Sequence, residues 1–214
     1  MAKGVSVKSL LSKVYKTFKF TGVWLLVLGE LERSGIWVIF GNEKNGKTQL
    51  ALQLADYLSR FEKVMYISAE EGVGFSFQQN LKRANIDAKT SKIMFYEYLD
   101  YEEIEKILSR REPPRIVFFD NATVYVDDIK TAQLRRLRKN HPNTLFIIMA
   151  HEDKKEPVTA MAKLAKKLCT IFIRVEGLTA FVGGRCPGGI INIDLQKAML
   201  YHGSSIIQEN GNKK

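Results

Sequence analysis

An α/β domain is the fold class this sequence predicts: a mainly parallel twisted sheet, helices on both faces, and a few short antiparallel strands near the C-terminus. Three observations predict it. From Gly35 onward, short continuous apolar runs alternate with helical stretches, the pattern of strands buried on both faces. The first of these runs, Ile36 to Phe40, leads through a glycine-containing loop into an amphipathic helix. The last three, Thr170 to Val175, Leu178 to Val182 and Ile190 to Asp194, are shorter and read as antiparallel.

Taken in order, residues 5 to 19 read as a basic amphipathic helix, with Leu10, Leu11, Val14, Tyr15 and Phe18 at helical spacing and lysines on the other face. A short irregular segment with Trp24 follows, ending at Gly35. The first core helix runs from about Lys47 to Arg60 and turns Leu50, Ala51, Leu54, Ala55 and Leu58 inward. Strands are expected at 64–68, 92–97, 115–120 and 144–150, and helices at 75–85, 101–111, 127–140 and 160–168. Asp100 supplies a helix start and Pro142 a stop. The organisation is then a basic helix and docking segment over 1–34, one core over 35–202, and a polar tail over 203–214.

With 214 residues the chain suffices for one well-buried domain. No apolar run approaches the roughly 20 residues that span a bilayer, and Lys8, Lys13, Lys16 and Lys19 interrupt any secretory apolar region, so a cytoplasmic location is expected. Two cysteines, Cys169 and Cys186, are too few for a Cys-rich zinc site. The net charge of +10 favours encounter with polyanions, nucleic acid first among them.

Gly41-Asn42-Glu43-Lys44-Asn45-Gly46-Lys47-Thr48 fits G-x-x-x-x-G-K-[ST] without a mismatch, between an apolar strand and a helix. The two glycines let the backbone curl so that successive N–H groups point at phosphates. The helix start adds its dipole, the Lys47 ammonium reaches the β- and γ-phosphates, and the Thr48 hydroxyl ligates magnesium. Gln49 completes the expected nucleotide-binding stretch. Arg115 to Asp120 is an apolar strand ending in a carboxylate, a candidate second magnesium contact acting through water. Glu70 and Glu71 follow the second strand, where a carboxylate orients and deprotonates an attacking water. His151 ends a later strand, where it either senses the γ-phosphate or is a satisfied polar residue.

The series GNEKNGKT, YISAEEG, RIVFFD and IIMAHEDKKEP resembles the RecA-like P-loop ATPases, in particular the RadA, DnaB and KaiC branch and its small single-domain phage or mobile-element forms. The resemblance covers about Gly35 to Asp194. It implies ATP and magnesium as cofactors, with Lys47, Glu70, Asp120 and His151 as the catalytic set: Glu70 the catalytic glutamate and His151 the γ-phosphate sensor. It also implies a homo-oligomeric ring or filament, a loop bearing Lys154 and Lys155 that meets single-stranded DNA, and a trans-acting basic residue near Arg185, although Gly183 and Gly184 replace the family's usual Lys-Asn before it. A second DNA contact is expected along the helix carrying Arg135, Arg136 and Arg138, whose other reading is a solvated charged face. The expected function is a DNA-stimulated ATPase of recombination, repair or replication. A nucleotide-gated regulatory or assembly ATPase acting on a protein partner is the alternative.

Overall fold

The structure is a computed structural model that describes residues 4–203. The expected tail, apart from Gly203, lies outside the described residues. Helices are α1 (Val7–Leu11), α2 (Gly22–Leu28), α3 (Lys47–Ser59), α4 (Phe75–Arg83), α5 (Tyr101–Leu108), α6 (Thr131–Asn140), α7 (Ala160–Leu168) and α8 (Leu195–His202). Strands are β1 (Gly35–Gly41), β2 (Val64–Ser68), β3 (Ile93–Tyr96), β4 (Ile116–Asp120), β5 (Leu145–Asp153), β6 (Glu156–Pro157), β7 (Ile171–Glu176), β8 (Thr179–Gly184) and β9 (Gly189–Asn192).

The strands join in the order β3-β2-β4-β5-β1-β7-β8-β9, with the short β6 paired to the end of β5. From β3 through β7 every neighbour pair in that path is parallel; β8 and β9 are antiparallel. Strands β1, β2 and β4 are buried along nearly their whole length, as continuous apolar runs between two layers must be. On one face, Leu50, Leu54 and Leu58 of α3, Phe77 of α4 and Val27 and Leu28 of α2 pack on Trp37, Ile39, Tyr66 and Phe118. On the other, Ile104 and Leu108 of α5, Leu134 and Leu137 of α6 and Met161 and Ala165 of α7 pack on Val38, Ile67, Phe119 and Ile148.

Two expectations are corrected, and one helix is added. The N-terminal helix spans Val7–Leu11, not 5–19, and buries none of its residues. Beyond it the chain is extended: Thr17 bridges Glu32, and the Phe18 N–H donates to the Leu31 carbonyl at 2.8 Å. The reason is burial at strand spacing. Phe18 and Phe20 point the same way, stack at 5.0 Å and enter an aromatic cluster with Trp37, Tyr57 and Phe61. Burying two such rings outweighs a helical pattern that leaves Leu10, Leu11 and Val14 exposed.

The segment around Trp24, expected to be irregular, is α2. Its N-terminal backbone is met by a distant side chain, since the Thr21 N–H donates to Tyr57 Oη at 2.7 Å. Finally, α8 follows the last strand, where the Asp194 carboxylate accepts from the Lys197 N–H and caps the helix.

Candidate nucleotide site

The loop from β1 to α3 owes its shape to its glycines. Gly46 has φ 99° and stands as N-cap of α3. A Cβ there would lie 2.6 Å from Leu178 Cδ2, and one at Gly41 would overlap the Val175 carbonyl oxygen. The loop is also tied down from outside. Asn45 Oδ1 accepts from the Gly177 N–H at 2.7 Å, and its carbonyl accepts from the Leu178 N–H at 3.2 Å. Asn42 Nδ2 donates to Glu152 Oε1 at 3.3 Å. Lys47 opens α3 with its side chain folded over the loop, Nζ donating to the Asn42 carbonyl at 2.7 Å. Burial lowers its pKa, while Asp120, Glu70, Glu43 and Glu152 pull the other way.

Sheet register brings the other groups to this loop. His151 pairs with Gly41, and Ser68 pairs with Asp120, all at the C-terminal edge of the parallel strands. Because side chains alternate along a strand, Ser68 follows Tyr66, Asp120 follows Phe118 and His151 follows Met149 onto the α3 face. Asp120 is buried, and the Tyr66 hydroxyl donates to its Oδ2 at 2.7 Å. Burial is the main cause that pushes the Asp120 carboxyl up to about 6; the Tyr66 bond and Lys47 oppose the rise. The Tyr66 phenol, desolvated and facing that carboxylate, is raised well above its ordinary value.

The two glutamates part company. Glu70 Oε1 lies 3.2 Å from His151 Nε2, whereas both Glu71 oxygens accept from Asn80 Nδ2 of α4, at 3.1 and 2.8 Å. One cavity of about 670 Å³ is lined by Glu43, Lys44, Gly46, Lys47, Thr48 and Gln49 of the loop and helix, and by Glu70, Asp120 and His151. Glu71, Asn80, Arg83, Asn121, Leu178 and Lys197 complete the lining. Lys47, Glu70, Asp120 and His151, named from four separate stretches of sequence, therefore face one space.

Other expected residues are elsewhere. Lys154 and Lys155 are exposed in the β5–β6 turn just past His151. Arg135, Arg136 and Arg138 are exposed on α6, which leads away to the start of β5 at the opposite sheet edge, so the two basic groups do not form one patch. Arg185 is also at that far edge, its N–H donating to the Thr170 carbonyl at 2.7 Å. Sequence reasoning missed Asn80, Arg83, Asn121, Leu178 and Lys197. For α8, the Asp194 cap was the available signal; for Asn80 and Arg83, it was their i,i+3 spacing on one helix.

Magnesium with a nucleotide fits these residues. The Thr48 hydroxyl and the Asp120 carboxylate face the cavity. The buried Ser68 Oγ and His151 Nδ1 have no hydrogen-bond partner among the described residues. No cluster of three or more His, Cys, Asp or Glu that could hold a metal occurs among the described residues. A magnesium ion held by phosphates, one hydroxyl, water and one carboxylate needs none.

No family model matches the chain. Over 104 residues, 49% of its length, it is 26% identical to the DNA repair protein RadA of Aquifex aeolicus, of which that stretch spans 23%. Among solved structures it resembles the KaiC-like protein PH0186 of Pyrococcus horikoshii, with TM-score 0.61, 14% identity, and 81% of this chain and 89% of that one covered. The flagellar accessory protein FlaH of Methanocaldococcus jannaschii gives 0.52 at 18% identity, over 74% of this chain and 82% of that one. A third solved structure, described as an ATPase domain, gives 0.53 at 15%, over 78% and 84%.

Proposed function

We propose that the chain, whose fold is RecA-like, is a P-loop ATPase of the RadA, DnaB and KaiC branch that binds magnesium ATP and hydrolyses it by attack of water. The observation that carries this reading is the convergence of Lys47, Glu70, Asp120 and His151 on the cavity above the glycine loop. Amides of residues 41–48 cradle the phosphates and Lys47 meets the β- and γ-phosphate oxygens. Thr48 and, through water, Asp120 would hold magnesium, which would supply positive charge against the phosphate oxygens. Glu70 orients a water and accepts its proton as the oxygen–phosphorus bond forms, and the bond from the γ-phosphorus to the bridging oxygen breaks toward ADP. His151, 3.2 Å from Glu70, links that base to the γ-phosphate. The pairing of Glu71 with Asn80 supports Glu70 as the base.

Single-stranded DNA is the proposed partner, in recombination, repair or replication. Supporting it are the net charge of +10, the exposed Lys154 and Lys155 beyond His151, and the likeness to a DNA repair protein over part of the chain. The assembly proposed is a homo-oligomeric ring or filament with Arg185 turned to a neighbour, and the location cytoplasmic. No helix among the described residues is long and apolar enough to cross a membrane. A second reading, a nucleotide-gated switch acting on a protein partner, is favoured by the likeness to a flagellar accessory protein. Phosphate release by the purified chain with magnesium ATP, with and without single-stranded DNA at fixed salt, tests both. Turnover that DNA accelerates supports the first reading, DNA-indifferent turnover the second, and retention of ATP without magnesium dependence overturns the site itself.

A further inference from the structure

We infer that Arg83, on α4 of the same chain, is a second cation that meets the γ-phosphate beside Lys47, so that transition-state charge is offset in cis. The inference rests on the hydrolytic reading above, and three features carry it. Arg83 lines the same cavity as Lys47, Glu70, Asp120 and His151. Its hydrogen bonds among the described residues go to neutral oxygens, Nη2 to Asn80 Oδ1 at 2.8 Å and Nε to the Gln79 carbonyl at 3.5 Å. The guanidinium keeps its full charge for a ligand. Arg185, its backbone N–H bonded to the Thr170 carbonyl at the opposite edge of the sheet, does not enter this cavity of its own chain.

The arrangement around Asn80 explains how the cation stays available beside an acid. Asn80 gives its Nδ2 to both oxygens of Glu71, which turns its Oδ1 toward Arg83. An amide offers donors at one end and an acceptor at the other, so Asn80 stands between carboxylate and guanidinium and satisfies both. Glu71 is occupied, Arg83 is steadied, and the two do not neutralise one another. A guanidinium so placed matches a phosphoryl group with two parallel donors and strengthens its hold as charge builds on the equatorial oxygens.

The test uses the full chain carrying Arg83→Ala or Arg83→Lys, substitutions at an exposed position that leave the core intact. Two readouts are taken: phosphate release, and affinity for a fluorescent ADP with and without fluoroaluminate, which imitates the transferring phosphoryl group. Arg83→Ala is expected to lower kcat at least ~100-fold, the scale of such electrostatic groups, with KM for ATP within about threefold. It is expected to erase the tightening of ADP by fluoroaluminate while leaving ADP alone unchanged, and Arg83→Lys to recover part of both. Mixing Arg83→Ala with Glu70→Gln separates cis from trans: in cis, the mixture shows no more activity than its two components measured apart. Restored turnover on mixing, a kcat within about threefold of wild type, or an intact fluoroaluminate effect in Arg83→Ala overturns the inference. If the wild-type chain releases no phosphate, the hydrolytic reading falls, and the fluoroaluminate comparison still decides whether Arg83 touches the phosphoryl group.

Discussion

The two edges of the sheet are built to opposite ends. At the C-terminal edge, Lys47, Asp120, Ser68 and Asn121 are buried polar groups, and burial works against the charged forms of the first two. At the other edge, Phe18, Phe20, Phe61 and Trp37 meet as rings and carry no chemistry. Arg33 there lies over both the Phe18 and Phe61 rings and pairs with Glu62 at 3.1 Å, closing the cluster. One edge gives up stability to hold charge where a ligand can use it; the other supplies stability. Fold and function are carried by different ends of the same strands.

Five substitutions break or sharpen that contrast. Lys47→Ala is expected to have the largest effect, at least ~1,000-fold in hydrolysis, because it removes the cation at the phosphates; phosphate release measures it, and thermal stability is expected to change little or rise. Phe18→Ala is the counterpart, costing about 3–4 kcal/mol of stability in a denaturant titration with KM for ATP unchanged. Glu70→Gln is expected to slow turnover ~100-fold with ATP still bound, and Glu71→Gln less than about tenfold; reversal of that order moves the base to Glu71.

Asp120→Asn is the most diagnostic. In the unfolded chain an aspartate titrates near ~4, and in the folded protein Asp120 titrates at about 6. As pH rises between those values the unfolded chain loses a proton that the folded chain keeps, so stability falls across that window and stays lower above it. Asn cannot charge and escapes this loss. The variant is expected to be more stable than wild type by about 1–2 kcal/mol at about pH 8. The gap closes near ~pH 4, while magnesium-dependent ATP binding is lost. A pH-independent gap in thermal melts defeats this account of Asp120.

The contrast also marks what the sequence discloses. The Gly41–Thr48 loop is legible because backbone curvature and helix dipole require particular residues at particular spacings, whatever surrounds them. Asp120 and His151 are legible as polar ends of apolar strands, and the parallel sheet brings such ends together. Phe18 is misread by periodicity because its environment is made by Trp37 and Phe61, which the stretch 5–19 does not contain. Asn80 and Arg83 share one face of α4 by their spacing, but nothing in that spacing discloses the bond from Asn80 to Glu71, nine residues earlier, that turns this face to the cavity. The Thr21–Tyr57 bond that starts α2 is hidden for the same reason.

The tie between Asn45 and the β7–β8 turn carries a mechanical consequence. Asn45 grips Gly177 and Leu178 at one end of β8, and that strand then crosses the full height of the sheet to Arg185. The glycine loop is thus joined to a strand whose other end, fixed by the bond from the Arg185 N–H to the Thr170 carbonyl, stands on the far side of the sheet. Because β8 is hydrogen-bonded to β7 on one side and β9 on the other, the loop's seat is the antiparallel part of the sheet itself, not a turn free to drift.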